Sequence, residues 1–204
     1  MRIIGGTAAG RFIKVPNGYD VRPTPDLVRQ AIFNSLGDRV VDARILDLFS
    51  GSGAIGLECL SRGASLVLSI EKAGRHAAMI RQNLEATGLS AERHELRVAD
   101  VFVVLHQLMQ SDRKFDLILA DPPFGDKNVG KRSTSLSQKM LDEPGLPALL
   151  AAGGRLVLGH TRRDSLTITP AWEEQKEMKH GDSMMRFLSA RSKVEELAGQ
   201  PQPG

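Results

Sequence analysis

The chain of 204 residues holds a single cysteine, Cys59, and that scarcity excludes a disulfide framework and a cysteine-built metal site. Cys59 falls in an amphipathic stretch, where a lone thiol is expected to serve as a small buried packing group. Long apolar runs are missing too. None approaches the roughly 18 residues that a membrane-crossing helix requires. The first residues also lack the charged segment, apolar stretch and cleavage site of a secretory leader. These absences lead to the expectation of a cytoplasmic protein with no membrane partner. The five histidines, His76, His94, His106, His160 and His180, are too dispersed for a ligand cluster, so no metal is expected. No internal repeat is present.

What remains has the make-up of an ordinary globular chain, 41% hydrophobic and of a length that suits one domain with a full core. The expected organisation is a single domain over 1–190, in which 1–40 forms a hairpin-and-helix appendage and 41–190 the core. Residues 191–204, ending in Gln-Pro-Gln-Pro-Gly, are expected to form a flexible tail. A net charge of +3 permits an anionic partner without demanding one. The distribution of charge says more than its total. Arg2, Arg11, Lys14, Arg22 and Arg29 gather early, and Lys127, Lys131 and Arg132 gather again after the segment discussed last below.

From Arg44 onward, short apolar runs alternate with helical patterns. Arg44 to Phe49, Leu66 to Ile70, Glu95 to Val98, Phe115 to Ala120 and Arg155 to Leu158 read as buried strands. Between them lie helical stretches at Ile55 to Arg62, Arg75 to Ala86, Val101 to Gln110 and within Ser135 to Leu150. Such alternation predicts an α/β, Rossmann-like, mostly parallel sheet, whose ligands sit beyond the carboxyl ends of the strands. Ahead of it, Arg2 to Ile4 and Arg11 to Val15 suggest a small hairpin. A helix follows, with Thr24 as its cap and Pro25 at its first position. Trp172 to Met178 and Met184 to Leu188, around Gly181-Asp182, suggest a closing antiparallel hairpin.

The run Asp47-Leu48-Phe49-Ser50-Gly51-Ser52-Gly53-Ala54-Ile55-Gly56 ends a strand, turns on glycines and opens a helix. Its glycines satisfy the pattern of dinucleotide folds and alone do not distinguish NAD from S-adenosylmethionine. Asp47 does better, since a carboxylate there would oppose a pyrophosphate but can hold, directly or through water, a methionine ammonium. Glu71, ending the second strand, could accept two ribose hydroxyls. Asp100 could accept from an adenine amine, with Val101 offering an N–H to the ring. The alternative is that both acids cap the helices that follow them.

Asp121-Pro122-Pro123-Phe124 is delivered to the carboxyl edge of the same sheet, and its consecutive prolines make the turn stiff. An amine conjugated to a base ring is a poor nucleophile. A carboxylate and a nearby carbonyl, here Asp121 and Pro122, can accept its two N–H bonds while Phe124 stacks on the ring. The joint pattern points to methyl transfer onto a base nitrogen.

These motifs, with Arg2-Ile3-Ile4-Gly5-Gly6, Gly10-Arg11, Arg22-Pro23-Thr24, Asp26, Val28-Arg29 and Phe33-Asn34, resemble the RsmD family of bacterial small-subunit ribosomal RNA guanine-N2 methyltransferases. The resemblance runs from Arg2 to Leu188. It implies a class I methyltransferase with a seven-stranded sheet and S-adenosylmethionine as cofactor, S-adenosylhomocysteine being the product. It places cofactor contacts at Thr24, Asp47, Ser50, Gly51, Gly53, Glu71, Asp100 and Val101, and the target base at Asp121, Pro122, Pro123 and Phe124. The implied partner is 16S ribosomal RNA in an assembling or assembled small subunit, met by a monomer through Arg2, Arg11, Arg22, Lys127, Lys131 and Arg132. Ala9, Leu27, Gln30 and Gly159 depart from the family pattern, Gly159 standing where an acidic residue is common. The residues themselves also admit another RNA or a DNA adenine as target, or a non-catalytic RNA-binding module on the same fold.

Overall fold

In the computed structural model, residues 1–16, 24–123 and 132–191 are described. The strands are β1 (Arg44–Leu48), β2 (Leu66–Glu71), β3 (His94–Val98), β4 (Phe115–Ala120), β5 (Leu150–Thr161), β6 (Trp172–His180) and β7 (Ser183–Ala190). They form one seven-stranded sheet in the order β3-β2-β1-β4-β5-β7-β6. The first five strands run parallel, β7 returns antiparallel to β5, and β6 lies antiparallel on β7. Helices α1 (Asp26–Leu36), α2 (Ala54–Ser61), α3 (Gly74–Thr87), α4 (Val101–Met109) and α5 (Leu136–Asp142) complete the Rossmann-like fold.

Successive strand residues point to opposite faces, and both faces here are covered, so the central strands read as continuous apolar runs. Ile45, Val67, Leu117, Leu119 and Val157 share one core with Val28 and Ile32 of α1 and Leu57 of α2. Their neighbours Leu46, Leu68, Ile70, Ile118 and Leu158 share the other with Val104 and Leu108 of α4, Met140 of α5 and Trp172. Cys59 is fully buried in the first core.

Three expectations need correction. The amino-terminal hairpin forms but is shorter than expected, an antiparallel bridge between Arg2 and Phe12 flanked by bonds from the Ile3 N–H to the Arg11 carbonyl at 2.9 Å and from the Ile13 N–H to the Met1 carbonyl at 3.0 Å. The Ile4 and Gly5 N–H groups donate instead to the two oxygens of Glu58, each at 2.8 Å, so they are lost to a ladder. Gly6 then turns at φ 75°, where a Cβ would overlap the Ser61 carbonyl. Second, Thr24 does not cap α1. Pro25 is the cap residue, extended at ψ 150°, with no side-chain bond to the helix. Third, β5 begins at Leu150 rather than Arg155, because its pairing with β4 continues across a register shift between Phe115 and Leu117. Residues 151–154 of that segment, Ala-Ala-Gly-Gly, carry too little apolar pattern to read as a strand. The hairpin around Gly181-Asp182 forms as expected.

Candidate active site

A cavity of about 1040 Å³ opens where β1, β2 and β4 end and α3, α4 and α5 meet. Its floor is the glycine turn. Phe49 and Gly51 both take left-handed backbone, at φ 59° and 56°, and Gly53 does so at 78°, where a Cβ would crowd Ile80 at 3.2 Å. Gly56 has a different task. A Cβ there would stand 2.8 Å from Asp47 Oδ2 and 3.0 Å from Ser69 Oγ, so glycine lets α2 settle onto the sheet. Ser50 locks the turn by donating its N–H to the Ile70 carbonyl at 3.0 Å and its hydroxyl to the Asp47 carbonyl at 2.9 Å.

Asp47 lies beneath this turn, fully buried, and is not among the described residues that line the cavity. Burial pushes its carboxyl up to about 7, against hydrogen bonds from Ser50, Ser69 and the Gly56 N–H that favour the charged form. Glu71 does line the cavity, although nearly buried. Its Oε2 accepts the Gly51 N–H at 2.8 Å, its Oε1 accepts the Ala73 N–H at 2.7 Å, and His76 Nδ1 stands 3.5 Å away. It thus ties the glycine turn to the start of α3. Asp100 caps α4, accepting the Phe102 N–H at 3.0 Å. A hydrogen bond from Lys72 at 3.1 Å holds its carboxyl below the usual value. Asp100 and Val101 both face the cavity.

Asp121, Pro122 and Pro123 form another part of the wall of this same cavity. Asp121 Oδ2 accepts the Thr24 hydroxyl at 2.5 Å, and Oδ1 lies over Gly159 of β5, where a Cβ would overlap it. Burial holds its carboxyl above the ordinary value, and the Thr24 bond opposes that shift. Thr24, expected beside the cofactor, reaches Asp121 and is not among the described lining residues.

The structure therefore gathers Gly51, Glu71, Asp100, Val101, Asp121, Pro122 and Pro123 around one space. Arg2 and Arg11 are exposed on the amino-terminal segment, with Arg11 lying over Gly88 at the end of α3. Arg132 is exposed but pairs with Asp142 at 2.6 Å, and Asp142 is itself a lining residue. Phe124, Arg22, Lys127 and Lys131 lie outside the described residues. The sequence reading missed Phe49, His76 and Phe102, and with them Leu136, Lys139 and Glu143 of the α5 region. Phe49 and Phe102 adjoin named motifs and could have been found by adjacency. No local signal marks the α5 residues, which arrive by packing. Among the described residues no group of three or more His, Cys, Asp or Glu stands as a metal cluster, and no helix is long and apolar enough to cross a membrane.

Comparison with known proteins adds lineage to this geometry. The "Ribosomal RNA small subunit methyltransferase D" of Haemophilus influenzae is 31% identical across 89% of both chains, and that of Escherichia coli K12 is 39% identical over 61% of this chain and 60% of its own. The solved structure of the Escherichia coli protein yhhF superposes with a TM-score of 0.74 at 27% identity, covering 94% of this chain and 98% of that one. More distantly, SMU.776, solved in complex with SAH, shares the fold at a TM-score of 0.61 and 17% identity, over 76% of this chain and 48% of its own. The family model described as "Conserved hypothetical protein 95" matches residues 1–189. The chain belongs to that family, the one of the small-subunit ribosomal RNA methyltransferases D.

Proposed function

We propose that this protein is a ribosomal RNA methyltransferase that uses S-adenosylmethionine to methylate the exocyclic N2 of a guanine in 16S RNA. One observation carries the reading: a single cavity is lined on one side by the glycine turn, Glu71, Asp100 and Val101, and on another by Asp121-Pro122-Pro123. A nucleoside cofactor and a base amine both find suitable partners there.

The residues present fit the cofactor. Each Glu71 oxygen accepts one backbone N–H, which leaves lone pairs for two ribose hydroxyls, since a carboxylate offers about four acceptor sites. Asp100 and the backbone of Val101 would take the adenine edge, with Phe102 beside them. Gly51 lets backbone approach the ligand closely. Asp47 would act from beneath, by holding α2 and the turn and, through water, a ligand ammonium. Bound there, S-adenosylmethionine supplies an electrophilic methyl group on a sulfonium, and its sulfur keeps the bonding electron pair when the methyl departs.

The chain's own part is to prepare the amine. Asp121 and the Pro122 carbonyl accept its two N–H bonds, favouring a nitrogen whose lone pair is available for bonding. The proton released as the new N–C bond forms passes to Asp121, whose burial raises its proton affinity, and from there to solvent. Two rigid prolines keep these acceptors in place, so orientation contributes directly to rate. The target base must leave its stack to reach the cavity.

The test is to incubate the protein and radiolabelled donor with unmodified small subunits, naked 16S RNA and duplex DNA, then map the label. Label on N2 of a guanine in 16S RNA is expected. Label on adenine in DNA, or none on any substrate, would overturn the reading.

A further inference from the structure

We infer that Thr24 and Gly159 are positioning residues for the reaction, together fixing the orientation in which the Asp121 carboxylate meets the base amine. The inference rests on the reading of Asp121 given above.

Asp121 has two oxygens, and each meets a different part of the fold. Oδ2 accepts the Thr24 hydroxyl at 2.5 Å, and Thr24 is its only hydrogen-bonding side chain among the described residues. Oδ1 lies over Gly159, whose lack of a Cβ is the reason it fits. A carboxylate that could turn about its Cβ–Cγ bond is thus held from one side by a donor and admitted on the other by a glycine. The free lone pairs remain for an incoming N–H.

Thr24 is suited to this because it is not spent on its own helix. α1 begins after an extended Pro25 with no side-chain cap, which frees the Thr24 hydroxyl to reach across to β4. The start of α1 is itself pinned. Fully buried Arg29 donates through Nη2 to the Arg2 carbonyl at 2.6 Å and to Asp26 at 2.8 Å, tying the helix to the first residues of the chain. The site is therefore built from two parts, with the carboxylate from the end of β4 and the hydroxyl that aims it from the segment ahead of α1.

A serine or threonine bonded to an ionised carboxylate favours the charged, accepting form. Other charged groups share the cavity: Glu71, Lys72 and His76 from the β2–α3 side, Asp100 at α4, and Lys139, Asp142 and Glu143 around α5. None of them is hydrogen-bonded to Asp121. Removing the hydroxyl should therefore act on Asp121 alone.

The experiment compares wild type with Thr24→Val, Thr24→Ser, Gly159→Ala and Asp121→Asn in steady-state methylation from pH 5 to 9, with cofactor affinity measured by calorimetry. Thr24→Val should lower kcat by about tenfold, the effect expected of a hydrogen bond to a charged group. Its acid limb should move to higher pH, with KM for RNA and Kd for cofactor unchanged, and Thr24→Ser should restore both properties. Gly159→Ala should lower kcat likewise, because its Cβ displaces Oδ1. A Thr24→Val enzyme with wild-type kcat and pH limb would overturn the inference, as would a loss confined to cofactor affinity. Failure of the underlying reading looks different, since Asp121→Asn would then remain active.

Discussion

At the scale of single residues, the site contains two carboxylates that burial pushes the same way for different ends. Asp121 lines the cavity and keeps lone pairs free there. Asp47 is not among the described residues that line it and is enclosed by the Gly56 N–H, the Ser69 hydroxyl and the β1–α2 turn. With its folded value near 7 and an unfolded value near 3.9, Asp47 holds a proton in the folded state that the unfolded chain has lost across that window. Its contribution is therefore greatest below about pH 4 and falls as pH rises, by roughly 1.4 kcal/mol per unit, until it levels above about pH 7. Asparagine carries no such titration. The stability of Asp47→Asn relative to wild type should increase from pH 4 to pH 7 and then hold steady, as urea unfolding at successive pH values would measure. A difference independent of pH would show that Asp47 is ionised throughout. The sequence puts an acid at the end of β1, but no local pattern says whether it looks into the cavity or under the turn. That depends on the side on which α2 packs, and Gly56 decides it.

At the scale of elements, the parallel strands were legible because both faces of each are covered, which leaves an apolar run with sharp ends. Four of the five expected parallel strands match to within a residue at either end, with Phe115–Ala120 coinciding. The parts that were not legible depend on partners distant in sequence. The amino-terminal hairpin shows alternation in Ile3 and Ile13, both buried and both donating their N–H groups across it, but it stops where the Ile4 and Gly5 N–H groups turn to Glu58 some fifty residues away. Glu58 lies within Ile55 to Arg62, a stretch that reads only as helical. It is fully buried, and besides Ile4 and Gly5 it accepts Arg62 Nε at 2.8 Å. Removing it leaves two backbone donors and a guanidinium without their acceptor. Glu58→Ala should cost about 3 kcal/mol of stability, and amide exchange at Ile4 and Gly5 should accelerate more than at β1. Exchange unchanged at those two amides would mean that the segment is held by its apolar contacts instead. Thr24 shows the same limitation. The sequence offers a threonine before a proline as a helix cap, and only the packed structure brings Asp121 within its reach.

At the scale of the whole molecule, the cavity lies beyond the carboxyl ends of the parallel strands, where sheets of this kind hold their ligands. The two cores run along the strands, and the cavity lies at the carboxyl ends of β1, β2 and β4. Recognition of a large anionic partner must then come from outside the cavity, where charge rather than shape is available. The basic residues differ in how free they are to supply it. Arg2 and Arg11 are exposed, and among the described residues neither has a carboxylate partner, whereas Arg132 is held by Asp142 at 2.6 Å. A cation already paired releases fewer counterions when a phosphate arrives, because part of its field is cancelled locally. Binding of 16S RNA, measured across salt concentrations, should therefore respond unequally. Arg2→Ala and Arg11→Ala should each reduce the slope of log K against log salt by about 0.7 to 0.9. Arg132→Ala should reduce it less, since Asp142 is released as the arginine is lost. Equal slopes for all three variants would place the RNA against the Arg132 side as firmly as against the amino-terminal segment, and an unchanged slope for Arg2 and Arg11 would remove that segment from the interface.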